Sequence, residues 1–156
     1  FLLVLKELVR IVYPRYDDKM KVRERGYIYF QDFVPDKEYD IRVTVIGKKA
    51  YGLKRYTRKN DFRASGSGKI VLERREVPVE CVRTAFYWAE KLDVQCVSFD
   101  FITDKDPILF VEISYGFVPE KIRPCPGYWD RQLNWHEGIF IAEWFIIEDF
   151  INRIGR

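Results

Sequence analysis

The sequence predicts an α+β fold, a mainly antiparallel sheet covered by helices, and three observations carry that prediction. Short runs rich in Val, Ile, Tyr and Phe are joined by turns too tight to return a chain in parallel, at Pro35-Asp36, at Gly47-Lys48 and over DKDP at 104–107. Within the middle run, Asp40, Arg42 and Thr44 alternate with Ile41, Val43 and Val45, giving one polar and one apolar face. The stretch VPVECVRTAFYWAEKLD at 77–93 instead repeats its apolar residues Val79, Val82, Phe86 and Ala89 at helical spacing, so it reads as a helix lying on that sheet.

In chain order, the first expected element is a helix over Phe1–Tyr13, with Leu2, Leu5, Val9 and Val12 on one side and Pro14 as its stop. Charged residues 14–26 read as a linker, so 1–26 form an N-terminal helix and linker and 27–156 the main body. The chain starts at Phe1 inside an apolar helical pattern and without an initiator Met, which reads as a piece of a longer protein. Strands are expected over 26–34, 39–47 and 49–56, the last two forming a tight hairpin at Gly47-Lys48. Arg42 then stands inside the sheet, where a strand Arg more commonly snorkels to the surface.

DFRASGSG at 61–68 follows the cations Lys54, Arg55, Arg58 and Lys59. Small residues let backbone N–H groups approach an anion, and arginines fork onto its oxygens; a plain surface loop is the alternative. After the 77–93 helix come strands from Val94 to Ser114. Residues 115–139, rich in Pro, Gly and aromatics, read as an irregular loop in which Trp129, Trp135 and His136 either line a pocket or pack the loop itself. FIAEWFIIEDFINRI at 140–154 closes the chain as an amphipathic helix.

Composition excludes several classes. At 156 residues the chain has domain size and material for a core. Its net charge of +3 is spread among acids, so general nucleic-acid binding gains little support, and a single-strand surface of aromatics and arginines would demand strong salt dependence. Cys81, Cys96 and Cys125 are odd in number and lack paired metal-ligand spacing, which points to reduced thiols in a cytoplasmic protein. The single histidine, His136, rules out a His-pair metal site. No apolar run approaches the ~18 residues that membrane insertion by a helix requires.

Two residues stand against their surroundings. Asp100 lies between Phe99 and Phe101, and Glu112 between Val111 and Ile113, and a buried carboxylate without a partner costs several kcal/mol. By alternation Cys96, Ser98, Asp100 and Ile102 share one face, and Ile108, Phe110, Glu112 and Ser114 share another. If the hairpin pairs Asp100 with Glu112, both acids and the Ser114 hydroxyl converge, and a slip of one residue would part them. Such hard oxygen donors suit Mg2+ held jointly with substrate phosphates. A hairpin with a solvated polar face is the bland alternative.

The succession YIYFQDFVPDKEYDIRVTVIG, LKR, FRASGSG, a helix, VSFDFI and VEIS resembles the C-terminal half of ATP-grasp enzymes such as glutathione synthetases and ribosomal-protein glutamate ligases, over about residues 27–115. EISYGF, CPGYWD and NWHEG resemble a subgroup encoded among bacterial surface-polysaccharide genes. The resemblance implies an ATP-grasp C-terminal subdomain, with ATP and Mg2+ as cofactors and a small carboxylate or sugar acid as substrate. Gln31, Asp32 and Phe33 match the adenine-binding hinge. Arg42 matches the Arg of a DxR motif, and Arg55 and Arg63 match basic residues near phosphates or substrate carboxylate. Ser65 and Gly66 fall in the substrate-side loop, and Asp100 and Glu112 match the magnesium-binding acids. Ser114 and Ser65 stand where the family commonly has Asn.

The activity so implied is an ADP-forming ligase acting through an acyl phosphate. The family's N-terminal domain and lid have no counterpart here, so the isolated chain is expected to bind ATP weakly and turn nothing over, with the missing part of the same protein as its partner. A non-catalytic nucleotide- or glycan-binding module is the alternative.

Overall fold

The computed structural model describes residues 28–59, 61–103 and 107–155. The expected helix over 1–13 and the linker that follows lie outside the described residues. The chain divides into two units, Phe1–Phe33 and Val34–Arg156. In the first, residues 28–33 form neither helix nor strand, and Ile28, Tyr29, Phe30 and Phe33 are largely exposed. The strand expected over 26–34 is therefore not found over 28–34.

The second unit is α+β. Seven antiparallel strands make one sheet: β1 (Tyr39–Ile46), β2 (Lys49–Tyr56), β3 (Ile70–Val71), β4 (Cys96–Ile102), β5 (Leu109–Ser114), β6 (Gly127–Asp130) and β7 (Trp135–Glu137). The order is β5-β4-β1-β2-β6-β7, with β3 also on β2. Among the described residues three α-helices accompany it, α1 (Val79–Lys91), α2 (Pro119–Ile122) and α3 (Ala142–Ile154). Among the described residues no helix is long and apolar enough to cross a membrane.

The tight hairpin forms as its sequence demands. Ile46 pairs with Lys49, and Gly47 turns the chain at φ +57°, a backbone that favours glycine. Alternation then splits β1 between two cores. Ile41, Val43 and Val45 join Val97, Phe99 and Phe101 beneath α1, which buries Cys81, Val82, Ala85, Phe86 and Ala89. Val79, expected on that stripe, is exposed, because the buried side of the helix starts two residues later. On the opposite face Ile46, Tyr51 and Leu53 pack with Ile122, Cys125, Phe140 and Ala142. Fully burying each Val, Ile or Phe contributes about 1.5–3 kcal/mol before chain entropy is set against it.

The segment 115–139 is more ordered than its composition suggests. It contains α2 and the β6–β7 hairpin, whose Tyr128 pairs with His136 and Trp129 with Trp135. The turn is organised by Asp130, whose carboxylate accepts from the backbone N–H of Gln132 and Asn134, each at 2.9 Å, and lies 2.7 Å from His136 Nε2. Those hydrogen bonds hold the Asp130 carboxyl below its ordinary range, the His136 contact first. Trp129 is buried in the core under α1, and with Trp135 it also lines a cavity of about 880 Å3 beside Arg74, Val77 and Leu133, so both of the roles expected for these aromatics are observed, while His136 is not among that cavity's lining.

Candidate anion site on the polar sheet face

Along β1 the face opposite α1 runs Asp40, Arg42, Thr44, Ile46, from charge through hydroxyl to hydrocarbon. The register brings matching residues alongside: Arg55 opposite Asp40, Asp100 opposite Arg42, and Ser98 and Tyr51 opposite Thr44. Pleating points all of these side chains to the same side.

Four of them form a closed ion cluster. Arg42 forks onto Asp100, donating Nε to Oδ1 at 2.6 Å and Nη2 to Oδ2 at 2.7 Å. Arg55 forks onto Asp40 at 2.7 and 2.6 Å and reaches Asp100 Oδ2 at 2.8 Å with Nη2. The partner that a carboxylate between two phenylalanines calls for is thus a pair of guanidinium groups, and the Arg in the middle of β1 is paired instead of snorkelling. Asp100 is 5% exposed and Arg55 8%. Burial raises the Asp40 carboxyl, outweighing the hydrogen bonds and charge of Arg55. Burial alone would lower Arg55, but its hydrogen bonds to Asp40 and the charges of Asp100 and Asp40 carry it above its ordinary value. Thr44 and Ser98 share a 2.7 Å hydrogen bond, and the neighbouring Tyr51 hydroxyl is fully buried, with no partner at full hydrogen-bond geometry among the described residues.

The second acid is where the hairpin register was expected to put it. Asp100 faces Glu112 and Ser98 faces Ser114 across β4 and β5. Glu112 is exposed and Ser114 half-buried. One expectation for this strand needs correction: Phe110 does not share the face of Glu112. The register shifts between Asp100 and Phe101, so that Phe101 faces Phe110 while Asp100 faces Glu112, leaving Val111 as an extra residue. Phe110 consequently points toward the α1 side, its ring centroid 5.6 Å from Phe99 and 5.7 Å from Phe101.

A cavity of about 370 Å3 opens beside the cluster. Arg42, Arg55 and Lys121 contribute its positive charge, and the loop Ala64–Gly68 forms one wall. That loop is held from behind by Arg58, which donates to the Ser65 carbonyl through Nε at 2.8 Å and also through Nη2. Gly66 has φ +75°, a backbone that favours glycine. The rest of the wall comes from Tyr51, Leu53, Ile70, Phe117, Val118 and Ile122. No Asp or Glu lines it among the described residues.

Of the residues singled out from sequence, Arg42, Arg55 and Asp100 meet in the ion cluster, Ser65 and Gly66 share a cavity with the two arginines, and Glu112 and Ser114 stand on the same sheet face. Arg63 does not join them; it is exposed and forks onto Asp61 at 2.6–3.0 Å. Gln31, Asp32 and Phe33 belong to the first unit, where all three are exposed. Sequence reasoning missed the roles of Asp40, Arg58, Lys121 and Tyr51. Asp40 carries a signal, since it sits two residues before Arg42 on the same strand face. Lys121 carries none, because it comes from a segment that reads as irregular.

Comparison with protein-family models and with curated proteins finds no match to this chain.

Proposed function

We propose that Val34–Arg156 is the metal- and substrate-binding half of an ATP-dependent carboxylate ligase acting through an acyl phosphate, in the manner of the ATP-grasp enzymes that the sequence resembles. One observation carries the reading: a cation-lined cavity without acids, built on the same sheet face as two carboxylates in register, Asp100 and Glu112. Phosphoryl transfer rests on positioning and charge neutralisation, and forked guanidinium groups supply both. In this reading Arg42 and Arg55 orient the anion, Lys121 adds charge at the rim, and the Ala64–Gly68 wall lets backbone approach it.

Glu112, Ser114 and Asp100 are the oxygen donors that this face would offer Mg2+. Glu112 is exposed, Ser114 adds a hydroxyl oxygen, and Asp100 accepts three hydrogen bonds where a carboxylate offers about four positions. Bound there, the ion would neutralise charge on phosphate oxygens. Because two guanidinium groups already balance Asp100, a cation alone gains little at this place. The same locking of Asp100 favours a second reading, an anion-binding module without chemistry.

The discriminating experiment is a titration of ATP into the chain, with and without Mg2+, repeated on Glu112→Gln and Arg42→Gln. The ligase reading expects weak binding that Mg2+ strengthens, a Mg2+ effect absent in Glu112→Gln, and affinity at least about tenfold lower in Arg42→Gln. Binding to the wild-type chain that ignores Mg2+ selects the module, and an unchanged Mg2+ effect in Glu112→Gln removes Glu112 from the metal assignment.

A further inference from the structure

The cavity has a mixed lining that bears on what it admits. Its lining sets the cations Arg42, Arg55 and Lys121 beside the apolar Leu53, Ile70, Phe117, Val118 and Ile122, with Leu53 across the ladder from Arg42 and Ile70 across from Arg55. Leu53 and Ile122 are each 3% exposed and belong to the core shared with Phe140, so this wall is fixed hydrocarbon instead of mobile surface. Tyr51 underlies it, its ring 6.3 Å from Phe117 and 4.4 Å from Phe140. The Tyr51 hydroxyl is buried, leaving the hydroxyls of Ser65 and Ser67 as the neutral side-chain hydrogen-bonding groups of the lining.

We infer that the acid bound here carries an apolar arm, so that it is an amphipathic organic anion and not a polyhydroxylated sugar acid. This rests on the proposal that the cavity is the acid-substrate site, and it names the substrate class. The physical reason is desolvation. A sugar acid presents a hydroxyl on nearly every carbon, and those placed against Leu53, Ile70 or Phe117 beyond the reach of the cations and of Ser65 and Ser67 would give up water without gaining a partner. A phenyl or alkyl arm meets the same wall with apolar area to bury. At about 370 Å3 the cavity is at the small end of ligand pockets, which run from about 300 to 1,000 Å3, so the arm is short.

The test is calorimetric titration of the 156-residue chain with 3-phenylpropionate and with glucuronate, two monoanions of opposite character, and with inorganic phosphate as an anion that has no arm. The expected result is phenylpropionate binding at least about tenfold tighter than glucuronate, the consequence of a single hydroxyl left without a partner. Arg42→Gln should weaken phenylpropionate and phosphate together. Phe117→Asn should erase the preference for the aromatic acid, with circular dichroism confirming that both variants fold. Equal affinities, or glucuronate binding tighter, would overturn the apolar arm; the acid-site reading then survives if phosphate and glucuronate still depend on Arg42. Absence of Arg42-dependent binding by all three anions would overturn both.

Discussion

Arg42 and Arg55 have the same chemistry and similar partners, yet their surroundings assign them different work. Arg55 bonds two carboxylates, Asp40 and Asp100, and its side chain is 10% exposed against 19% for Arg42. Removing it would leave Asp40 without its guanidinium and Asp100 with one fewer. Breaking a buried ion pair from one side costs about 3–5 kcal/mol, so Arg55→Ala is expected to lose that much stability in urea denaturation. Arg42→Ala leaves Asp100 still held by Arg55 and should cost less, about 1–3 kcal/mol. An Arg55→Ala protein as stable as wild type would show that the cluster is not what holds β1, β2 and β4 together on this face.

Strand β2 is shaped by a neighbour it does not pair with. Gly52 faces Val43 in the ladder, and a Cβ on it would lie 2.6 Å from Cγ1 of Val77, a buried residue just before α1. A glycine in mid-strand weakens the strand by itself, so its presence marks the place where Val77 must come close. Gly52→Ala should therefore cost about 1–3 kcal/mol by overpacking, in spite of the better strand propensity of Ala; a variant as stable as wild type would mean that Val77 can move aside freely. Elements of this kind also mark how far the sequence could be read. The Gly47 hairpin, α1 and the Asp100–Glu112 register are local patterns of period two or 3.6, and they are legible. The bulge that turns Phe110 toward the core is not, because alternation assumes an unbroken strand. Nor are the β6–β7 hairpin and the apolar lining of the cavity, which depend on Asp130 hydrogen bonds and on packing between residues as distant as Leu53 and Ile122. Asp100 was visible as an anomaly, but its guanidinium partners come from other strands and leave no trace beside it.

Over the whole molecule the three thiols give stability a defined dependence on pH. Burial pushes Cys81 up to about 12 and Cys96 up to about 11 from 9.0, and raises Cys125 as well. Groups raised on folding contribute stability that is fully present below the unfolded value and is lost as pH rises through the folded one. Stability should be level around neutral pH and fall between about pH 9 and pH 11, and a Cys96→Ala variant should fall less steeply, as read from denaturation midpoints at several pH values. A level profile through that window would show the thiols to be more accessible to solvent than their burial implies.

The ion cluster also ties the proposed site to the history of each molecule. Arg42 and Asp100 are 58 positions apart, and Arg55 and Asp100 are 45 apart, so the binding surface is drawn from three strands that no short segment of chain contains. Contacts of such long range form late, after the loops between them have closed. A chain caught midway, with one hairpin made and the other open, therefore has no affinity to offer. A ligand that takes the proposed site would meet only finished molecules, and would deepen the native well by RT ln(1 + [L]/Kd) and lengthen its lifetime while leaving the climb toward it unassisted.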